Sequence, residues 1–177
     1  MPRPRLQSAA NLTIDEIVAF DEDIENALRL YFSESSPQFT QRFFGHTRAE
    51  IEELLARRIQ ESKLRSSLMV LTSLEATFRI DFSQRCARRL KDELSRYFRS
   101  MERAHRERIR LDEHILEGWK LHTEGAQQPI SELRGHLKFR HWVAHGRYWT
   151  PKLAGKNDLE SVLILAKAIR DNFPFVG

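Results

Sequence analysis

The stretch from Thr47 to Phe78 constrains the fold of this chain of 177 residues more than any other. It opens with Thr47-Arg48-Ala49-Glu50, a capping box whose Thr and Glu side chains satisfy the free N–H groups of a first helical turn. Apolar residues then follow at helical spacing and later on every side: Ile51, Leu54, Leu55, Ile59, Leu68, Met69, Val70, Leu71, Leu74, Ala76 and Phe78. An apolar stripe that widens in this way is typical of a helix passing through the middle of a bundle.

The composition agrees with a helical protein. Charged residues make up 31% of the chain, whereas Gly (7) and Pro (6) are few, which favours long helices over β-sandwiches. The length is near that of one domain, and a hydrophobic content of 41% is enough for a core. We predict an all-α, single-domain antiparallel bundle of about five to six helices over residues 12–177, after a flexible N-terminal tail at 1–11.

Local signals divide the rest of the chain into helices and loops. A capping box at Thr13 starts a first helix to about Phe32, and residues 39–46 read as a loop. A break is predicted at Asp81-Phe82-Ser83, and helices are predicted from there to about Met101, from Leu111 to His122, after Pro129, and after Asp158. The apolar residues of the last helix cover enough of its surface to pack on the bundle and also meet a partner subunit, although complete burial is equally allowed.

The charge is concentrated in one segment. Residues 85–110 carry ten Lys/Arg against four acids, in a chain whose net charge is +4. Such a cluster is typical of a surface that binds nucleic-acid phosphates, while any single Arg in it is as well explained by a solvated helix face.

Several classes of protein are disfavoured by what the sequence lacks. Cys86 is the only cysteine, so an intrachain disulfide is excluded. We find no apolar signal-peptide region and no run of 18 apolar residues, and we therefore expect a soluble cytoplasmic protein.

The chemically richest stretch lies near the end of the helix that follows Pro129. It reads Phe139-Arg140-His141-Trp142-Val143-Ala144-His145-Gly146-Arg147-Tyr148-Trp149. On a helix, Arg134, Lys138, His141 and His145 fall within about 60° of one another and form a basic stripe. Phe139, Trp142, Val143 and Gly146 fall on an arc of about 100° that faces away from it.

Spacing alone does not single out this stretch. An Arg followed by a His five to seven positions later occurs at Arg99/His105, Arg108/His114, Arg134/His141 and Arg140/His145. Only the last pair has a second His, small and apolar neighbours, and a Gly suited to a helix C-terminus. A functional site and a structural histidine pair at a helix end both remain open.

The stretch resembles the C-terminal motif of HEPN domains, a family of small helical proteins, and most closely that of the RiboL-PSP-HEPN branch. Arg140, His141 and His145 match the Arg, the polar residue and the His of that motif. The resemblance implies a HEPN-like bundle, metal-independent endoribonuclease activity without a cofactor, and a homodimer that brings two motifs together. It also implies a role in toxin–antitoxin or antiviral defence systems, with an antitoxin or defence protein as partner. Arg147 stands where members paired with a nucleotidyltransferase antitoxin carry Tyr, which argues against that pairing.

The chemistry of these residues suits RNA cleavage. The 2′-hydroxyl is an internal nucleophile, so a base, an acid and a cation suffice. We assign His145 as general base or acid, Arg140 as phosphate clamp, and His141 as orienting group or second proton carrier. Arg140 and His145 lie about 140° apart on an ideal helix, so a loosened helix end or a dimer mate would have to bring them together. His141 and His145 alone make a poor zinc site, because no third ligand is evident.

Other residues are expected to support this site. The candidate RNA-binding residues are Arg134, Lys138, Arg147, Tyr148, Arg88, Arg89 and Arg96. Glu75 lies in the apolar centre of the long helix, where it either positions a motif side chain or pairs with Arg79. A catalytically silent module that binds RNA or protein, and a purely structural dimerisation domain, are the alternatives to a nuclease.

Overall fold

One long helix, α3 (Arg48–Arg88), organises the bundle. The computed structural model describes residues 12–146 and 158–176, and these contain no strand. The other helices in the described residues are α1 (Ile14–Tyr31), α2 (Phe39–Arg42), α4 (Glu93–His105), α5 (Glu117–His122), α6 (Gln127–Ala144) and α7 (Leu159–Asn172). A 3-10 turn (Arg106–Arg108) follows α4, and a π-helical turn (Leu111–Leu116) runs directly into α5. The all-α prediction is confirmed, but the described residues contain seven α-helices where about five to six were predicted. The predicted tail at 1–11 lies outside the described residues.

The helix starts follow from their caps. Thr13 and Thr47 both form the predicted capping boxes, and the Asp158 side chain accepts a bond from the Ser161 N–H at 2.8 Å. Each cap satisfies N–H groups that a helix leaves free at its start. Three of the helix starts expected from the sequence are therefore confirmed.

Helix α3 forms the centre because its middle section is apolar on several sides. Val70, Leu71, Leu74 and Phe78 are buried there, and α3 packs against α1, α4, α6 and α7. The core continues through residues of α4, the π-helical turn, α5, α6 and α7, among them Phe98, Ile115, Trp119, Ile130, Leu133, Val162 and Ile169. Within the described ranges, none of the helices is both long enough and apolar enough to cross a membrane.

The predicted break at Asp81-Phe82-Ser83 is wrong, because α3 continues through it to Arg88. Asp81 does not cap a new helix. Its buried carboxylate accepts a bond from Arg85 Nε, one turn later, at 2.7 Å. Because the Asp81 carboxylate is paired with Arg85 within the helix, burial of this acid does not require the helix to end there.

The predicted loop at 39–46 also contains a short helix, α2. Phe39 and Phe43 are half-buried and their rings lie 5.1 Å apart, which stabilises this single turn. Phe44 is 85% exposed, so not all three Phe residues of the segment pack on the bundle.

The C-terminal residues 173–176 are held against α3 by what we call the tail clasp, made by Asp81, Arg85 and Arg88. Arg85 Nη2 donates to the Pro174 carbonyl, and Arg88 Nη1 donates to the Val176 carbonyl at 2.7 Å. The Val176 N–H donates to Asp81 Oδ1 at 2.9 Å. The clasp holds the ring centroids of Phe173 and Phe175 at 5.9 Å and 5.2 Å from the ring centroid of Phe78. These contacts extend the core.

Gly118 allows α4 and α5 to touch, and replacing it tests this contact. A Cβ atom there would lie 2.5 Å from a ring carbon of Phe98 and 2.7 Å from one of Tyr97. We expect Gly118→Ala to lower the free energy of unfolding by about 1–3 kcal/mol in urea titrations, because the rings must shift. Gly135→Ala in α6 is the matched control: a Cβ atom there meets nothing within 4 Å, and this variant should be at least as stable as the wild type. Equal stability of the two variants would contradict the packing argument.

Candidate active site

Helix α6 carries the candidate site at its C-terminal end. Its last residue is Ala144, and His145 and Gly146 close it: the His145 N–H donates to the His141 carbonyl and the Gly146 N–H to the Val143 carbonyl. Gly146 has φ +84°, a left-handed conformation that glycine adopts without strain. The helix end predicted at Gly146 is confirmed.

The two motif histidines lie side by side on the surface. His141 and His145 are both exposed, and their ring centroids are 4.1 Å apart. Residues four apart share one face of a helix, and the closing backbone bond keeps His145 close to that register. Two imidazoles that solvent can reach are thereby available for proton transfer.

Arg140 turns away from this pair and toward α3. Its Nη1 donates to Glu75 Oε2 at 2.5 Å, and the other carboxylate oxygen of Glu75 accepts from Arg79 Nε at 2.9 Å. Both predicted alternatives for Glu75 therefore occur together. The carboxylate positions one guanidinium of the motif and also pairs with Arg79.

The environment of Glu75 keeps it ionised. Burial disfavours its charged form, but the bond from Arg79 and the charge and bond of Arg140 outweigh burial and lower the pKa of Glu75 below its ordinary value. The carboxylate is 19% exposed and the Arg140 side chain 33% exposed, so the pair lies at the edge of the core. Arg140 is thus fixed in place without being removed from solvent.

The inward face of α6 differs from the predicted arc. Phe139 is buried, but Trp142 and Val143 are half-buried and Gly146 is exposed. The helix buries its middle instead, through Ile130, Leu133 and His136, and its last turn projects past the core. His136, only 4% exposed, was missed as a buried polar residue, although its spacing from Leu133 and Phe139 places it on their face.

The predicted RNA-binding residues of α6 divide into two groups. Lys138 is exposed beside the histidines. Arg134 instead joins α6 to the segment before it, because its Nη2 donates to Glu117 Oε2 at 2.7 Å and its Nε pairs with the Asp112 carboxylate. Arg147 and Tyr148 lie outside the described residues.

The basic segment 85–110 is separated from the motif and is partly structural. Arg88 lies thirteen residues beyond Glu75 on α3, or about 20 Å along the helix axis. Arg85 is buried in the clasp and does not belong to a solvated basic face, whereas Arg88 is exposed but bonds the Val176 carbonyl. Arg89 and Arg96 are exposed. The sequence could not separate these roles, because all four side chains look alike in a charge count.

A second pair of imidazoles joins the end of α4 to the π-helical turn that precedes α5. The rings of His105 and His114 are 4.3 Å apart, and the Arg110 N–H donates to His114 Nδ1 at 2.9 Å. In the described ranges, no three His, Cys, Asp or Glu side chains are grouped so that they could hold a metal ion. Comparisons of the chain with protein families, with curated proteins and with solved structures found no match.

Proposed function

We propose that this protein is a metal-independent endoribonuclease of the HEPN type, with Arg140, His141 and His145 as its catalytic residues. The observation that carries the proposal is the exposed imidazole pair of His141 and His145, 4.1 Å apart at the end of α6, directly after an anchored Arg140. A structural histidine pair would be expected to pack against the protein, whereas both of these rings are exposed. The resemblance to the HEPN motif gives the same assignment.

The chemistry requires only side chains present in this motif. One imidazole removes the proton of the RNA 2′-hydroxyl, whose oxygen attacks the adjacent phosphorus. The second imidazole protonates the departing 5′-oxygen, so that a 2′,3′-cyclic phosphate and a free 5′-hydroxyl result. We assign His145 to one of these proton transfers and His141 to the other or to orienting the substrate.

Arg140 is assigned to the phosphate. A guanidinium has five N–H donors in one plane, so its bond to Glu75 does not exhaust them, and it can stabilise the charge that grows on the phosphate oxygens. Glu75 then acts as a positioning residue, because it limits the rotamers of Arg140 before RNA binds. RNA incubated with the protein in EDTA should yield the cyclic phosphate, and the same sequence in DNA should stay intact because it lacks the 2′-hydroxyl.

One observation favours a second candidate, a catalytically silent helical module that binds RNA or a protein. Arg140 is already paired with a carboxylate, which it shares with Arg79. If this pairing is purely structural, the motif helix is simply fastened to α3 and the imidazoles serve no reaction. RNA that binds but is not cut in EDTA or with added metal would support this candidate over the nuclease.

We further propose that the protein forms a symmetric dimer in which two α6 ends share one groove. The proposal rests on the resemblance, which implies a homodimer that brings two motifs together. We expect light scattering at micromolar concentration to give twice the mass of the 20.9 kDa chain. A monomer at that concentration would contradict the prediction.

The resemblance to HEPN domains also leads us to propose a role in defence systems, with an antitoxin or defence protein as partner.

RNA binding is expected to draw on the exposed cations of the basic segment. Arg89→Glu with Arg96→Glu should weaken binding of single-stranded RNA and flatten the fall of affinity with salt, because fewer counterions are released. Fluorescence anisotropy over a salt series measures both effects. Arg48→Glu with Arg57→Glu, exposed at the other end of α3, is the matched control. If both double variants behave alike, the segment is only a solvated face.

A further inference from the structure

A large groove lies between α1, the N-terminal half of α3 and α7. Its volume is about 1540 Å³, and the apolar side chains that line it include Val18, Leu55, Ile59, Leu163 and Ile164. Pockets for small molecules usually measure about 300–1,000 Å³, so this groove suits a longer occupant. Ile164 of α7 is 65% exposed and adds a large aliphatic side chain to this apolar lining.

The groove is acidic, although the chain as a whole is basic. Among the described residues that line it, seven are Asp or Glu and three are Lys or Arg. The three cations are already paired: Arg29 and Lys63 with Glu25, and Arg57 with Glu53. Two of the acids are also paired, with cations outside the lining: Glu52 with Arg48 and Glu61 with Arg65. Seven acids and three cations give the lining residues a net charge of −4, whereas the whole chain carries +4. An occupant that is apolar on one side and positively charged at its edges would match both properties.

We propose that this groove is the docking site for a basic amphipathic helix of a partner protein. The walls are helices, so an occupant finds no strand edge to extend and must pack by side chains, as an amphipathic helix does with apolar residues at i, i+3, i+4 and i+7. Lys and Arg on the flanks of that helix meet the carboxylates of the rim. Glu22 and Glu160 are exposed there, on opposite walls formed by α1 and α7.

A second copy of this chain fits the groove less well. In a two-fold contact each groove would face its own counterpart, and both acidic rims would be brought together. Like charges across an interface disfavour it. The charge therefore selects a basic partner over self-association at this surface.

The groove is distinct from the candidate active site. Of α6 it includes Phe139 but none of Arg140, His141 and His145. The docking proposal goes beyond RNA cleavage and does not depend on the protein being a nuclease. A binding experiment therefore tests it without any measurement of activity.

The probe is a fluorescein-labelled helical peptide with leucine at i, i+3, i+4 and i+7 and lysine at its other positions. We expect it to bind the full chain, and a peptide with the same leucines but glutamate in place of lysine to bind at least about tenfold more weakly. Ile164→Asp should weaken binding of the lysine peptide by about tenfold or more, because it places a charge in the apolar lining of the groove. Leu121→Asp on α5 is the matched control: Leu121 is 61% exposed but outside the groove, and affinity should not change.

A second pair of variants tests the charge. Glu22→Lys should lower the affinity by about threefold and flatten its salt dependence, whereas Asp23→Lys, exposed on the same helix but not lining the groove, should change it less. Circular dichroism confirms that each variant is folded. Equal binding of the two peptides, or unchanged binding in Ile164→Asp, would overturn the proposal. A wild-type dimer that Ile164→Asp converts to monomers would overturn it in favour of a second copy in the groove.

Discussion

Replacing His145 with alanine is expected to lower the rate of RNA cleavage by roughly 10²–10⁴-fold while the fold stays intact, because one proton carrier of the reaction is lost. Arg140→Ala should have an effect of the same order, since the growing charge on the phosphate loses its cation. Single-turnover cleavage of labelled RNA in EDTA measures both rates. His145 is exposed and ends its helix, so removal of its ring leaves no cavity, and the urea midpoint should be close to that of the wild type.

The chain offers a matched control for each variant. His105 is another exposed histidine at a helix end with its ring next to a second imidazole, and His105→Ala should cleave RNA at the wild-type rate. Arg79 bonds the same carboxylate as Arg140. Arg79→Ala removes a cation from Glu75 but keeps the motif cation Arg140, so it shows whether losing any arginine at Glu75 lowers the rate. It should retain most of the activity.

The outcome for His141 separates its two assignments. His141→Ala should reduce the rate about as much as His145→Ala if the ring carries the second proton, and clearly less if it only orients the substrate. Wild-type activity in His145→Ala, activity that disappears with EDTA, or cleavage of DNA would each refute the mechanism.

Arg85→Ala is expected to lower the free energy of unfolding by about 3–5 kcal/mol, because it leaves Asp81 buried without its cation. The Arg85 and Asp81 side chains are 5% and 1% exposed, and Arg85 also bonds Asp92, Ser95 and the tail carbonyl of Pro174. For a domain of this size the melting temperature should fall by roughly 6–20 °C. Thermal unfolding followed by circular dichroism measures it.

Arg57→Ala is the matched control. Arg57 pairs with Glu53 on the same helix at the same i, i+4 spacing, but both side chains are about two-thirds exposed. Exposed pairs of this kind contribute about 0.3–0.5 kcal/mol, so Arg57→Ala should unfold almost as the wild type does. If the two variants lose similar stability, burial of the Asp81–Arg85 pair is energetically unimportant.

The pH dependence of the stability gives an independent check of the Asp81–Arg85 pair. Burial raises the pKa of Asp81, although the Val176 N–H and Arg85 oppose that shift. A raised pKa in the folded protein means that the folded state binds the proton more tightly than the unfolded state, so this contribution to stability is present at low pH and is lost as the pH rises. The deficit of Arg85→Ala should therefore shrink as the pH is lowered, because protonation removes the unpaired charge.

The sequence predicts those elements whose signal is local. The caps at Thr13, Thr47 and Asp158 and the end of α6 at Gly146 follow from a few neighbouring residues, and all are confirmed. Asp81 misleads because an acid before Phe and Ser resembles a helix start. Its actual partners include Val176, 95 residues away, and no local pattern contains that information.

The candidate site shows the same limit. The face shared by His141 and His145 follows from their spacing, whereas the packing of α6 on α3 decides where Arg140 points. Glu75 was expected to hold either a motif residue or Arg79, and because a carboxylate has two oxygens it holds Arg140 and Arg79 together. The basic segment divides into cations that bond residues 173–176 and cations that do not for a similar reason: Arg85 and Arg88 meet residues that lie about ninety positions later in the sequence.

The tail clasp has a consequence for the order in which the protein folds. Its hydrogen bonds join residues separated by 88 to 95 positions, whereas the pairs that stabilise α3 itself are four positions apart. Contacts at such separation form late, because the entropy of closing a long loop must be overcome before they contribute. We therefore expect residues 173–176 to cover Phe78 and the Asp81–Arg85 pair only after the local helices have formed. Helix α7 packs on α3 across a similar separation in sequence, so we expect α7 and residues 173–176 to dock together in the slow step of refolding.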